Sequence, residues 1–151
     1  MKKTLVLLLL SLLILSAGCS RPTPAGPPML TVNVNGSDFE IQSHAFKWTV
    51  VLKNGQAHTS TTSSQHPLNI DHEPIETDAD RVNLSWPDHP ESSKLVCWPN
   101  GSASDDEPFE VLMDDLCFTP LKGSYIYLLS CEWDNDDHYG TADYAFQIIA
   151  N

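Results

Sequence analysis

Basic residues are scarce in this chain. Eight lysines and arginines stand against 20 aspartates and glutamates in 151 residues, a formal charge of −12 at neutral pH. Nucleic acid is bound through a basic footprint on its phosphates, so that partner is excluded. The same deficit denies the chain an electrostatic hold on anionic lipid headgroups. Cysteine is sparse too, and none of the four falls in a Cys-x-x-Cys unit. The six histidines, His44, His58, His66, His72, His89 and His138, never stand two to four residues apart. Zinc sites draw on such pairs, so the sequence calls for no metal and no other cofactor. No Gly-x-Ser-x-Gly elbow surrounds Ser60, Ser63, Ser64 or any other serine, which removes the usual hydrolase nucleophile. Beyond residue 18 there is no capped apolar stripe of helical period and no internal repeat.

What the chain does have begins at its N-terminus. Met1-Lys2-Lys3 is basic, Leu5 to Leu15 is almost unbroken apolar sequence, and Ser16-Ala17-Gly18-Cys19 ends it with small residues. That order is a secretory signal, with an apolar part too short to span a bilayer as a mature helix. Ala17-Gly18-Cys19 resembles the lipobox of bacterial lipoproteins, with Ser16 where leucine is commonest. The resemblance implies cleavage after residue 18, acylation of Cys19 (a palmitate-type chain) and residence on the extracytoplasmic face of the cell membrane. Without Lys2 and Lys3, six basic residues face 20 acidic ones, a balance of −14, so attachment would rest on the acyl chains alone. Ser20 to Met29 holds Pro22, Pro24, Pro27 and Pro28 and reads, with Cys19, as an extended tether (residues 19–29) of roughly 3 Å per residue.

From Leu30 to Asn151 the apolar period is two. Val32 and Val34 alternate with asparagines before the turn-forming Asn35-Gly36. Val82, Leu84 and Trp86 alternate with polar residues, and so do Ala142, Tyr144, Phe146 and Ile148. Such alternation turns one face to a core and the other to water. Tyr125, Tyr127, Leu129, Cys131 and Trp133 share a face of a penultimate strand, which an acidic loop joins to the last strand as a hairpin. Glu110 to Leu116 has the length of one helical turn or a short strand, and is read as a strand. Leu121-Lys122-Gly123-Ser124-Tyr125 looks like the start of strand F in immunoglobulin-like domains, where a tyrosine hydroxyl ties the corner to nearby backbone. The expected fold is all-β: an immunoglobulin-like antiparallel sandwich of about seven strands over residues 30–151.

Four segments resemble a group of uncharacterised small lipoproteins of Firmicute-type, Gram-positive bacteria. They are Phe46-Lys47-Trp48-Thr49, Lys94 to Pro99, Gly123 to Trp133, and Gly140 to Phe146. The resemblance covers most of the mature chain, but its motifs are core and turn residues. It implies a fold and a surface location, and it transfers no catalytic residue.

Candidate chemistry is thin. Cys97, Cys117 and Cys131 remain once Cys19 is lipidated; an exported chain can pair two of them, and nothing in their spacing chooses among the pairings or against none. Cys131, on an aromatic strand face, reads as a core thiol and not as a nucleophile. Asp134-Asn135-Asp136-Asp137 offers hard oxygen ligands of the kind calcium takes, but Tyr139 stands where an EF-hand-like loop requires glycine, so a solvated hairpin loop is the plainer reading. Of the four tryptophans, Trp86 and Trp133 fall on core faces, while Trp98 has the opposite parity to Cys97. Trp98 is therefore the expected exposed aromatic and the candidate ligand contact for a sugar ring. The function expected is a non-enzymatic binding or structural envelope domain, with a protein or glycan partner. Alternatives are a carbohydrate- or calcium-binding module, or a peptidase-inhibitor-like domain, although the loop signatures of chagasin-type inhibitors are missing. Replacing Cys19 with serine is expected to move nearly all of the protein from the membrane pellet to the soluble fraction; unchanged sedimentation with the membranes would remove the lipid anchor.

Overall fold

The computed structural model describes residues 26–151. The leader, Cys19 and the first part of the proline-rich segment lie outside them. Eleven strands follow one another: β1 (Leu30–Val34), β2 (Ser37–Ile41), β3 (Ala45–Val51), β4 (Ala57–Thr62), β5 (Pro74–Thr77), β6 (Val82–Ser85), β7 (Ser92–Pro99), β8 (Phe109–Val111), β9 (Cys117–Phe118), β10 (Gly123–Asp134) and β11 (His138–Ala150). A single 3₁₀ turn, Pro67–Asn69, interrupts them. Among the described residues no helix is long and apolar enough to cross a membrane.

The strands form two sheets. The smaller has the order β2-β1-β6-β9, and the larger runs β4-β3-β11-β10-β7-β8 with β5 also on β11. All pairs are antiparallel except β5–β11. The expected all-β sandwich is what forms. Its strands outnumber the expected seven, and β8 and β9, of three and two residues, are too short to register as a repeating alternation. Glu110 to Leu116 is not one strand: β8 ends at Val111, and the chain then crosses toward the other sheet.

Local sequence explains the joints. Asn35 and Gly36 both have positive φ, 52° and 81°, so they form the two-residue hairpin turn that matches strand twist between β1 and β2. The core between the sheets takes Leu30, Val32, Val34, Val82 and Leu84 from one side. From the other come Leu95, Cys97, Tyr127, Leu129, Cys131, Trp133, Tyr144, Phe146 and Ile148. The faces read from alternation on β10 and β11 are the faces that are buried.

Burying phenols leaves hydroxyls that need partners, at a cost of about 1–3 kcal/mol each if left unpaired. Tyr127 and Tyr144 are wholly buried. The Tyr127 hydroxyl accepts the backbone N–H of Leu121 at 3.0 Å. A tyrosine therefore does tie the corner before β10, but it is Tyr127 and not Tyr125, which is only half-buried. The Tyr144 hydroxyl donates to the carbonyl of Pro28 at 2.6 Å, and Gly26 lies against the Phe46 ring. The end of the expected tether is thus fastened to the domain.

Gly140 fixes how closely β3 and β11 approach. It sits opposite Trp48 with φ of 151°, and a Cβ there would lie 2.1 Å from the carbonyl oxygen of Lys47. Backbone cannot yield as a side chain does. Gly140→Ala is expected to cost about 2–4 kcal/mol and roughly 10 °C in Tm; a thermal melt showing less than a few degrees would mean that the two strands separate without strain.

Candidate functional site

One end of the sandwich gathers aromatic rings under a histidine. Trp48 and Trp133 meet edge to face at 5.3 Å, and Trp86 meets Trp133 at 6.4 Å. The His138 ring stacks on Trp48 at 5.2 Å. Each imidazole nitrogen faces a carboxylate: Nε2 lies 2.7 Å from Asp88 and Nδ1 lies 2.6 Å from Asp137. Asn135 Nδ2 also donates to Asp88 at 3.2 Å, and the indole N–H of Trp133 donates to the Asp88 carbonyl at 3.1 Å. Among the described residues no hydroxyl or thiol is hydrogen-bonded to His138, whose ring partners are Asp88, Asn135 and Asp137. It clamps the β6–β7 connection onto the β10–β11 hairpin.

The acidic loop is part of that clamp. Asp137 is engaged by His138, and its backbone carbonyl accepts from Val51 N–H at 2.8 Å. Among the described residues no group of three or more histidine, cysteine or carboxylate side chains is placed to hold a metal ion. Of the loop's carboxylates, it is Asp137 that is turned to a structural bond.

Trp98 corrects the expectation made for it. It is only 4% exposed. Its indole N–H donates to the carbonyl of Asp106 at 2.9 Å, and the His66 ring meets it edge-on at 5.2 Å. The parity argument assumed one wet face on every strand. Here the segment containing the 3₁₀ turn folds back over the outer face of β10, with Pro67 buried, so both faces are covered at this corner. A signal for this was in the sequence: Tyr125 to Leu129 is a run of five apolar residues without alternation, the mark of a strand buried on both sides. Ile126 pairs directly with Trp98.

The three cysteines are free. Burial pushes the Cys97 thiol up to about 11 and the Cys131 thiol up to about 12, so neither ionises near neutrality. Cys117, half-buried on β9, sits with its Sγ 2.8 Å from Asn83 Oδ1.

A different place has the exposed surface that Trp98 lacks. Beyond β8 the larger sheet ends, and beyond β9 the smaller one ends. Residues 112–116 cross between these edges along the side of the sandwich. Met113 and Leu116 pack against the core, but Leu112 is 88% exposed and Phe109 is 56% exposed. Open hollows of ≈ 320 Å³ and ≈ 290 Å³ flank Leu112 and Met113. The crossing ends in a tight turn in which Asp114 and Cys117 exchange both backbone hydrogen bonds, at 2.8 and 3.0 Å. Asp115 and Leu116 hold its centre with φ of 49° and 63°. Left-handed backbone costs a residue such as leucine about 1–2 kcal/mol. The packing of Leu116, and its carbonyl accepting from Leu84 N–H at 2.9 Å, offset that cost. Sequence reasoning passed over this side because Glu110 to Leu116 was read as one short strand, which hid the crossing from one sheet edge to the other.

The chain matches no known family model, no curated protein and no solved structure.

His44 carries a testable consequence. It lies between β2 and β3, its backbone N–H donates to the Asp143 carbonyl at 3.0 Å, and its ring Nδ1 is buried without a hydrogen-bond partner among the described residues. Burial holds the imidazole below its ordinary value of 6.5, against the pull of Asp143. The unfolded chain therefore takes up this proton more readily than the folded one. The stability tied to His44 is full above pH 6.5 and is lost as pH falls through the lowered folded value. Between about pH 7.5 and about pH 5, the Tm of the wild type is expected to drop more than that of His44→Gln; parallel profiles would show that the ring is not linked to folding.

Proposed function

We propose that this chain is a lipid-anchored, extracytoplasmic bacterial surface protein whose domain binds a protein partner and catalyses no reaction of its own. The observation that carries the reading is the open side at β8, where Phe109 and Leu112 stand in water. Large apolar side chains exposed together at a rim of polar residues mark interaction surfaces. The leader sequence and the lipobox-like Ala17-Gly18-Cys19 support the address. The Tyr127–Leu121 corner bond supports an immunoglobulin-like kinship for the sandwich, and with it the likeness to small Gram-positive lipoproteins. Domains of this architecture host many functions, so the site and not the fold bears the weight of the proposal.

A photoreactive phenylalanine analogue at Leu112, in the full-length protein in living cells, should give a saturable adduct with one envelope or extracellular protein. The same analogue at Thr61, an exposed position on β4, should give none. No adduct at Leu112, or the same adduct from both positions, would end the reading.

A further inference from the structure

We propose that β8 is a strand-addition site for an extended, cationic polypeptide segment of a partner. The proposal rests on the reading of the domain as a protein binder and names the class of partner and how it docks. β8 ends the larger sheet, so alternate backbone N–H and C=O groups along its outer edge face no strand among the described residues. An unpaired edge of this kind is a template for another chain.

The side chains define what that chain must present. Phe109 and Val111 lie opposite Cys97 and Leu95, on the core-facing side, while Glu110 lies opposite Val96 on the outer side. A strand laid along β8 would place apolar residues beside Phe109 and Val111 and a basic residue beside Glu110, since cross-strand pairs of like nature attract and like charges repel. Glu110 now meets Lys94 at 3.8 Å, with both side chains about two-thirds exposed (63% and 66%). Such a surface pair is weak and is readily exchanged. Acidic residues bracket the edge: Asp105, Asp106 and Glu107 come before it, and Asp114 and Asp115 follow.

Charge also decides against a second copy of this chain. Two edges each flanked by these carboxylates, on chains of −12, would repel along their whole length. Two of the other edges offer less. β4 carries alanine, histidine, threonine and serine with no large apolar side chain, and β2 interleaves Phe39 with Asp38 and Glu40.

The test uses the full-length protein in neutral detergent and labelled ten-residue peptides of alternating valine and lysine. Binding in the micromolar range is expected, with little for the valine–glutamate counterpart. N-methylation of alternate residues removes the peptide's pairing N–H groups in one phase, and one of the two phases should abolish binding. Leu112→Lys and Glu110→Lys, both at exposed positions that folding does not depend on, should each weaken binding by about tenfold or more. Binding that survives both N-methylated phases or both substitutions would overturn strand addition, as would no binding at all. A dimer of the chain, dispersed by Leu112→Lys, would overturn it in favour of self-association. If the peptides fail while the cross-link at Leu112 persists, the strand-addition mode falls and the protein-binding reading stands; if both fail, both fall.

Discussion

β10 and β11 pair along almost their full lengths, from Gly123 with Ala150 at one end to Asp134 with Tyr139 at the other. Every other strand of the larger sheet is hung on them. β7 pairs with β10 and carries β8, while β11 takes β3 along residues 138–143 and β5 along residues 147–150. Side chains alternate with a period of two, so a slip of one residue would turn Tyr144, Phe146 and Ile148 away from the core between the sheets. Each fully buried side chain of that size contributes roughly 1.5–3 kcal/mol by its burial, so the register is strongly specified. Tyr127 and Phe146 sit opposite each other with stacked rings 5.6 Å apart. The two ends are pinned independently, by the Tyr127–Leu121 bond and by the His138 clamp.

That hairpin was also the part most legible in the sequence. Long strands buried on one face announce themselves by alternation, and here the alternation is repeated in two adjacent segments joined by a polar loop. The core faces of β10 and β11 and the inward Trp133 follow from that signal, while the inward Trp86 follows from the alternation of Val82, Leu84 and Trp86, and the Asn35-Gly36 turn from its residue types. Short strands gave no such signal. β9 has two residues and β8 has three, and neither length can display a period.

The misreadings share one physical cause: alternation predicts facing only where one side of a strand is wet. Trp98 lies where a non-strand segment covers the outer face, so two neighbours of opposite parity, Cys97 and Trp98, are both buried. At β8 the rule fails in the other direction. Phe109 has core-side parity, yet it stands more than half exposed because the sandwich ends there and no facing strand covers it. Tyr125 and Tyr127 share a face, but only Tyr127 meets the backbone that comes before β10. Which of two equivalent tyrosines ties a corner depends on the path of a loop, and periodicity carries no information about loops. The candidate site was illegible for the same reason, since it is made by a crossing segment and a sheet edge.

The acidity of the chain and the exposure of Leu112 are parts of one physical problem. An open edge with apolar side chains is an aggregation hazard unless something keeps identical edges apart. A three-residue strand flanked by carboxylates meets that need, because every copy repels every other. The same carboxylates attract a chain of opposite sign and raise the rate at which it arrives, and salt weakens that effect. In the proposed docking, Phe109, Val111 and Leu112 would supply the apolar contact that governs how long such a chain stays, since differences in affinity lie chiefly in residence time. In the docking proposed for β8, charge would therefore select the partner, while burial would retain it. The turn that closes the side tolerates left-handed backbone at Leu116 because Leu116 itself is packed. Its neighbour Leu112 has no such compensation within the domain, and a docked strand beside β8 is the arrangement that would supply it.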